Sequence, residues 1–119
     1  MNIEELREYC LSRPGATEDF PFDETTLAFK VGGKIFALTS LDAQPLTVNL
    51  KCDPEWAVTL REQFSEVQPG YHMNKKHWNT VVLEGNVKIS DVKAWVDHSY
   101  DLVLRSLPKA TRQSVQLQV

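Results

Sequence analysis

The sequence has 119 residues, of which 42% are hydrophobic and 24% are charged, and this fits one globular domain over residues 1–119. Its formal net charge of −3 argues against strong non-specific nucleic-acid binding, because that binding requires many lysine and arginine contacts with phosphates. No apolar run approaches the roughly 18 residues of a membrane span, and residues 1–7 are too polar for a secretory signal. We therefore expect a cytoplasmic protein that does not associate with membranes.

The N-terminal pattern predicts a helix over residues 3–12. Asn2 is suited to cap this helix, and Glu5 follows three residues later, as in a capping box. Residues 16–25 are expected to form a loop in which Phe20 and Phe22 close the edge of the core. The acidic residues of this loop could bind a cation, but their spacing is looser than in cation-binding loops, which favours a solvated loop.

A hairpin is predicted over residues 26–39, because two alternating runs flank Gly32-Gly33, a good two-residue turn. With that turn, strict pairing places Phe29 opposite Phe36 and Leu27 opposite Leu38 on the core side. On the other, more exposed side, Ala28 would face Ala37 and Lys30 would face Ile35.

Residues 46–51 alternate as a third strand, and the Asp53-Pro54 pair then opens a helix that runs to about residue 64, with Trp56 on its inner side. A strand over residues 80–84 precedes a last helix over residues 91–107, capped by Ser90. Residues 110–119 are expected to fray. With a short strand within residues 66–73, the order is α-β-β-β-α-β-β-α, which predicts an α+β fold with helices on one face of an antiparallel sheet.

The sequence contains none of the common catalytic or phosphate-binding motifs, so we expect neither an enzyme nor a cofactor. His72 and His77 lie five residues apart, but no acid accompanies them, which argues against a metal site. His98 is expected at the surface or half-buried. The two cysteines, Cys10 and Cys52, form no zinc pattern and are expected to be reduced thiols in or near the core.

The most unusual stretch is the segment 70–82. Residues 71–79 contain two imidazoles, two ammonium groups, two carboxamides and two aromatic rings, and no acid. Such groups can contact phosphates, pair with base edges and stack on bases. A structural role is the alternative: Trp78 would then pack in the core, the amides would hold a tight turn, and the lysines would keep a sheet edge soluble.

The same segment carries a family resemblance. Residues 70–81 read Gly-Tyr-His-Met-Asn-Lys-Lys-His-Trp-Asn-Thr-Val, which closely resembles the signature of the MmcQ/YjbR family. Similar stretches occur at residues 3–10, 15–22, 30–38 and 50–55, so that the likeness extends over residues 1–108. The resemblance implies a CyaY-like (frataxin-like) arrangement, also described as a double-wing fold.

Members of this family are commonly labelled DNA-binding, so the resemblance implies a DNA-binding protein that uses segment 70–82 and a hairpin wing. We also expect the protein to be non-catalytic and monomeric. A protein-interaction or regulatory module without nucleic-acid binding is the alternative. The frataxin-like shape also suggests a third hypothesis, a metal chaperone, in which Glu4, Glu5 and Glu8 would be the acidic ligands. The expected DNA contacts are His72, Asn74, Lys75, Lys76, His77, Trp78 and Asn79, with Lys30, Lys34 and Lys51 as weaker additions.

Overall fold

A computed structural model describes residues 1–70 and 73–117. In chain order the elements are α1 (Ile3–Leu11), β1 (Thr17–Asp19), β2 (Thr26–Val31), β3 (Lys34–Ser40), β4 (Thr47–Lys51), α2 (Pro54–Gln63), β5 (Val67–Pro69), β6 (Trp78–Val82), α3 (Ile89–Ser106) and α4 (Lys109–Gln116).

Within these ranges the six strands form one antiparallel sheet in the order β1-β2-β3-β4-β6-β5. The expected α+β fold is confirmed. No helix among the described residues is long and apolar enough to cross a membrane.

Helix α1 begins where its sequence predicts. Asn2 Oδ1 accepts a hydrogen bond from the Glu5 amide at 2.8 Å, and Glu5 Oε1 accepts one from the Asn2 amide at 3.1 Å. The helix buries Leu6 and Cys10. Cys10 and Cys52 are both buried free thiols, as expected, and burial raises the pKa of Cys10 to about 12 and that of Cys52 to about 11. These values keep both thiols protonated at neutral pH, as inert core groups.

Helices α2 and α3 pack on the same face of the sheet. Trp56 and Leu60 from α2 and Trp95 from α3 surround one narrow apolar space above Leu50 and Val81. The Phe64 and Trp95 rings also meet edge to face, 5.0 Å apart. Such burial supplies most of the stabilisation of a domain of this size. Because the helices occupy this face, the alternate strand residues point to the opposite face.

We call that opposite side the outer face. Its β4 and β6 side chains contact one another, since Thr80 Oγ1 donates to Asn49 Oδ1 at 2.6 Å. Strand alternation and the half-buried state of these side chains define its members. They are Thr26, Lys30, Ile35, Leu38, Ser40, Thr47, Asn49, Lys51, Trp78, Thr80 and Val82.

The predicted hairpin forms, but its predicted register is wrong beyond the first two pairs. Lys30 pairs with Ile35 as expected, and then Phe29 pairs with Ala37, followed by Ala28 with Leu38 and Leu27 with Thr39. Phe36 is therefore the extra residue of a β-bulge, which replaces the expected Phe29–Phe36, Ala28–Ala37 and Leu27–Leu38 pairs. The bulge lets both Phe36 and Ala37 reach the helix-covered core, where both are fully buried.

A helix side chain completes the backbone hydrogen bonding where the bulge disturbs β3. The Ser99 hydroxyl of α3 donates to the Phe36 carbonyl at 2.5 Å and accepts from the Lys51 amide at 2.9 Å. Ser99 is itself fully buried. It therefore satisfies two backbone groups that the sheet leaves unpaired at this point.

Two loop expectations also change. Residues 17–19 form strand β1 beside β2, so the expected loop begins later. Phe20 and Phe22 are 48% and 67% exposed and do not close the core. Phe20 instead lines an open surface cleft together with Ile3 and Leu27. The Asp23 carboxylate accepts from the Thr25 and Thr26 amides at 2.9 and 2.7 Å, which holds the loop and its two rings outside the core.

The C-terminal region is more ordered than its polarity suggests. Residues 109–116 form α4 rather than a frayed tail, and Val115 is buried. Leu107 and Thr111 lie against Gly32, whose positive φ of 57° suits glycine at this turn. Helix α3 begins at Ile89 after Lys88, so Ser90 is inside the helix and does not cap it.

Candidate nucleic-acid interface

Three connections meet at one end of the sheet. Strands β2, β3, β4 and β6 are antiparallel neighbours in that order. This arrangement brings together the β2–β3 turn, the end of β4 and the start of β6. Neighbouring strands are about 4.8 Å apart, so β3 and β6 are separated by about 10 Å. We call this region the basic end, and define it by Lys34, Lys51, Lys75, Lys76, His77 and Trp78.

The β5–β6 connection within the basic end is a tight turn built on Asn74. Its side-chain oxygen accepts from the Lys76 amide at 2.9 Å. Its backbone carbonyl accepts from the His77 and Trp78 amides at 3.1 and 2.9 Å. The His77 carbonyl in turn accepts from the Cys52 amide at 2.8 Å, which ties the turn to the end of β4. The Asn74 side chain therefore shapes the turn, as the structural alternative predicts for an amide here.

Arg61 of α2 supports this turn from the helix side. Its Nε donates to Asn79 Oδ1 at 2.7 Å, and its Nη2 donates to the Lys75 carbonyl. Sequence reasoning did not single out Arg61, and its position as the basic residue of the last turn of α2 is the only local signal that it carries. The contact joins residues 18 positions apart, a distance that local patterns do not report.

Asn79 is not available as a DNA contact. It is only 3% exposed, under α2, where its amide nitrogen also faces the Ala57 carbonyl at 3.5 Å. The expectation that Asn79 contacts nucleic acid is therefore corrected. Alternation along β6 turns Asn79 and Val81 toward the helices and the neighbouring residues toward the outer face.

Trp78 lies on the outer face and not in the core. It is half-buried, and its direct neighbour across the ladder is Lys51. On the other side, the Gly70 amide donates to the Trp78 carbonyl at 2.9 Å. A Cβ at Gly70 would lie 2.9 Å from Trp78 Cβ and 3.0 Å from its carbonyl oxygen, so only glycine fits there. The core position that the structural alternative assigned to Trp78 is therefore wrong.

The lysines differ in their surroundings. Lys34, Lys75 and Lys76 are exposed, and Lys51 is half-buried. Lys30 Nζ lies 3.1 Å from Asp19 Oδ2, so a neighbouring carboxylate already balances its charge. The three ion pairs found within residues 1–70 and 73–117 involve neither Lys34, nor Lys51, nor Lys76.

Other candidate residues contribute less to a site. His72 lies outside the described residues, and His77 is half-buried. Glu4, Glu5 and Glu8 are exposed on α1, but Glu5 is engaged in the capping box. In the part of the chain that the structure covers, no group of three or more His, Cys, Asp or Glu side chains is placed to hold a metal ion.

His98 lies behind the basic end and fixes the start of α2. Its Nε2 accepts from the Asp53 amide at 3.1 Å, and its ring meets Trp56 edge to face at 4.5 Å. Nε2 can accept only in the unprotonated state. Burial lowers the pKa of His98 below 6.5, which favours that state. The half-buried position expected for His98 is confirmed, and its role is structural.

The sequence is similar to a known protein family and to several of its members. The YjbR family model matches residues 11–102. The uncharacterised Escherichia coli K12 protein YjbR is 38% identical over 113 residues, covering 95% of this chain and 96% of the relative. The uncharacterised E. coli O157:H7 protein YbdF is 33% identical over 114 residues, covering 95% of this chain and 93% of the relative.

A solved structure is similar over almost the whole fold. The Deinococcus radiodurans protein DR2400, with its DUF419 domain, superposes with a TM-score of 0.90 at 40% identity, covering 97% of this chain and 88% of that one. Because the family match spans most of the chain and the relatives align over nearly their full length, this chain belongs to the YjbR family.

Proposed function

We propose that this protein binds DNA without catalysis, through the basic end. The observation that supports the proposal is the grouping of Lys34, Lys51 and Lys76 with Trp78 at one end of the sheet, in a chain whose net charge is −3. Cations collected on one surface attract phosphates locally even when the whole molecule is acidic. The β2–β3 and β5–β6 hairpins lie on either side of β4 and serve as two wings.

Few cations are present, so the expected binding is weak. It still depends on salt, because each phosphate contact releases counterions. About four phosphate contacts would give a slope of about −3.6 for duplex DNA in a plot of log affinity against log salt concentration. A Kd in the micromolar range or weaker at physiological salt is typical of such a contact set. The proposal assigns the protein to the cytoplasm, where DNA is accessible and where free thiols such as Cys10 and Cys52 stay reduced.

The proposal is tested by fluorescence anisotropy with a labelled 12-mer DNA at several salt concentrations. Lys75→Ala combined with Lys76→Ala should weaken binding about ten-fold or more at low salt and reduce the magnitude of the salt slope by about two. The matched control removes two exposed lysines elsewhere, Lys88→Ala with Lys93→Ala, and should bind like the wild type. Equal binding by all three proteins, or binding by none, would contradict the proposal.

A second candidate function, a protein-interaction module, is favoured by a separate observation. Phe20, Phe22 and Leu41 form an exposed apolar corner at the opposite end of the sheet. The acids Glu24 and Asp42 adjoin it, so two copies of this corner would repel each other. A partner for it would present an apolar cleft with a basic rim.

This candidate is tested by purifying tagged protein from its own cells. A partner that co-purifies in equal amount with the wild type and with the Lys75→Ala, Lys76→Ala double variant, but not with Phe20→Ser, Phe22→Ser, would support it. Recovery of nucleic acid alone would count against it.

A further inference from the structure

We infer that the DNA bound at the basic end is single-stranded, and that one of its bases stacks on Trp78. This inference rests on the proposed function and specifies its ligand. It starts from a contrast between the three tryptophans. Trp56 of α2 and Trp95 of α3 pack against the core, whereas Trp78 lies on the outer face beside Lys51.

Among the described residues, the two direct neighbours of Trp78 across the sheet differ in size. The residue opposite it at the end of β5 is Gly70, which has no side chain to cover an indole. The residue opposite it on β4 is Lys51, whose ammonium group can reach a phosphate while its aliphatic part lies along the sheet. A planar base and its attached phosphate therefore find complementary groups on adjacent strands.

Polar side chains continue the surface away from Trp78. Thr80 lies two residues along β6, about 7 Å away, and its direct neighbours across the sheet are Asn49 and Gln68. Gln68 is exposed and carries both a donor and an acceptor. These three side chains, Gln68, Thr80 and Asn49, form a row that can hydrogen-bond to base edges that are not paired with another strand.

Duplex DNA cannot use Trp78 for stacking, because its bases are already stacked on both faces. Their Watson–Crick edges are also paired, so Gln68, Thr80 and Asn49 could reach only the edges exposed in the grooves. With only a few lysines at the basic end, phosphate contacts alone leave duplex affinity low. Stacking on an aromatic side chain typically strengthens single-strand binding about ten-fold or more for each base.

The inference is tested with two labelled probes, a 12-nucleotide oligothymidylate and a 12-base-pair duplex, in the same anisotropy assay. The wild type should bind the single strand at least about ten-fold more tightly than the duplex. Trp78→Leu should lower single-strand affinity about ten-fold and lower duplex affinity much less, whereas Trp78→Phe should retain most of the single-strand affinity. The outer-face substitution Val82→Ala is the matched control and should change neither.

A measurement on the wild type keeps the test independent of whether a Trp78 variant folds. The indole N–H signal of Trp78 in the proton NMR spectrum should shift during titration with the oligothymidylate, while that of Trp95, which is 6% exposed, should stay fixed. Tight duplex binding with an unmoved Trp78 signal would overturn the inference and leave the proposed function standing. Binding of neither probe would overturn both.

Discussion

Three side chains from α2 and α3 hold the backbone of the basic end in place. Ser99 bonds both the Phe36 carbonyl and the Lys51 amide, His98 accepts from the Asp53 amide, and Arg61 reaches the Lys75 carbonyl. At the scale of single residues, the candidate DNA-binding surface is thus shaped by helix side chains on the opposite side of the sheet. Changes at these positions should affect stability before they affect binding.

Ser99→Ala is the sharpest stability prediction. It leaves two buried backbone groups without their partner, and we expect a loss of about 2 kcal/mol in the free energy of unfolding. Ser106→Ala is the matched control, because the Ser106 hydroxyl donates to the Val103 carbonyl within the last turn of the same helix. Urea denaturation measures both. A loss of about 0.5 kcal/mol or less for Ser99→Ala would contradict the role assigned to this hydroxyl.

His98 should make stability depend on pH in a defined direction. Burial lowers its pKa below 6.5 in the folded protein, so between the two values the unfolded chain binds more protons. The stabilising contribution is therefore fully present above pH 6.5 and is lost as pH falls toward the folded pKa.

The test measures the free energy of unfolding of the wild type and of His98→Gln by urea denaturation, from about pH 7.5 down to about pH 5. Gln retains an acceptor for the Asp53 amide but does not titrate. We expect a shallower pH dependence in the variant. Identical slopes of unfolding free energy against pH in the two proteins would show that His98 does not cause the pH dependence.

At the scale of elements, the C-terminal helix α4 is the clearest departure from expectation. Its sequence is polar, yet Val115 packs into the core, and the neighbouring Thr111 and Leu107 cover Gly32 at the β2–β3 turn. The helix therefore braces one of the two hairpins at the basic end. Val115 is the one large apolar side chain in this polar stretch and gives little periodic signal, which is why the pattern suggested a frayed tail.

Val115→Ala tests whether α4 is packed. Removing two buried carbon atoms should lower the free energy of unfolding by about 1.5 kcal/mol. Leu117→Ala is the control, because Leu117 is 86% exposed just beyond the same helix and should change little. Equal, small effects at both positions in thermal or urea denaturation would mean that α4 does not contribute to the core.

Local rules predicted the elements whose causes are local. The Asn2 capping box, the Gly32-Gly33 turn and the Asp53-Pro54 helix start each depend on residues within four positions, and all three form as expected. The Phe36 bulge depends instead on the space beneath α3, and the burial of Asn79 depends on Arg61 in α2. Both features are determined by tertiary packing, which cannot be read from the sequence pattern of one segment.

The candidate site also combines features that local sequence predicts with features that depend on tertiary packing. The segment around Lys75 and Lys76 stood out by composition, and the structure places it beside Lys51 at the end of the sheet. Composition could not separate Trp78 from Asn79, because one residue step along a strand reverses the face. The register with β4 and the position of α2 decide which of the two meets solvent.

At the scale of the whole molecule, the two ends of the sheet differ in chemistry. The basic end carries Lys34, Lys51 and Lys76, and the opposite end carries the exposed Phe20–Phe22 loop with acidic neighbours. This separation allows an acidic protein to present a local cationic surface, and it also keeps the apolar corner apart from any bound DNA. The two candidate functions therefore fall on different surfaces and can be tested separately.

The most direct test of DNA binding at the basic end is an amide chemical-shift titration of the folded protein with a 12-mer DNA. We predict shifts concentrated at Lys34, at Lys51 and over residues 74–80, which fade as salt is raised. Amides of residues 20–24 and of Leu41 should not move. Shifts confined to that apolar corner, or no shifts at low salt, would contradict the account.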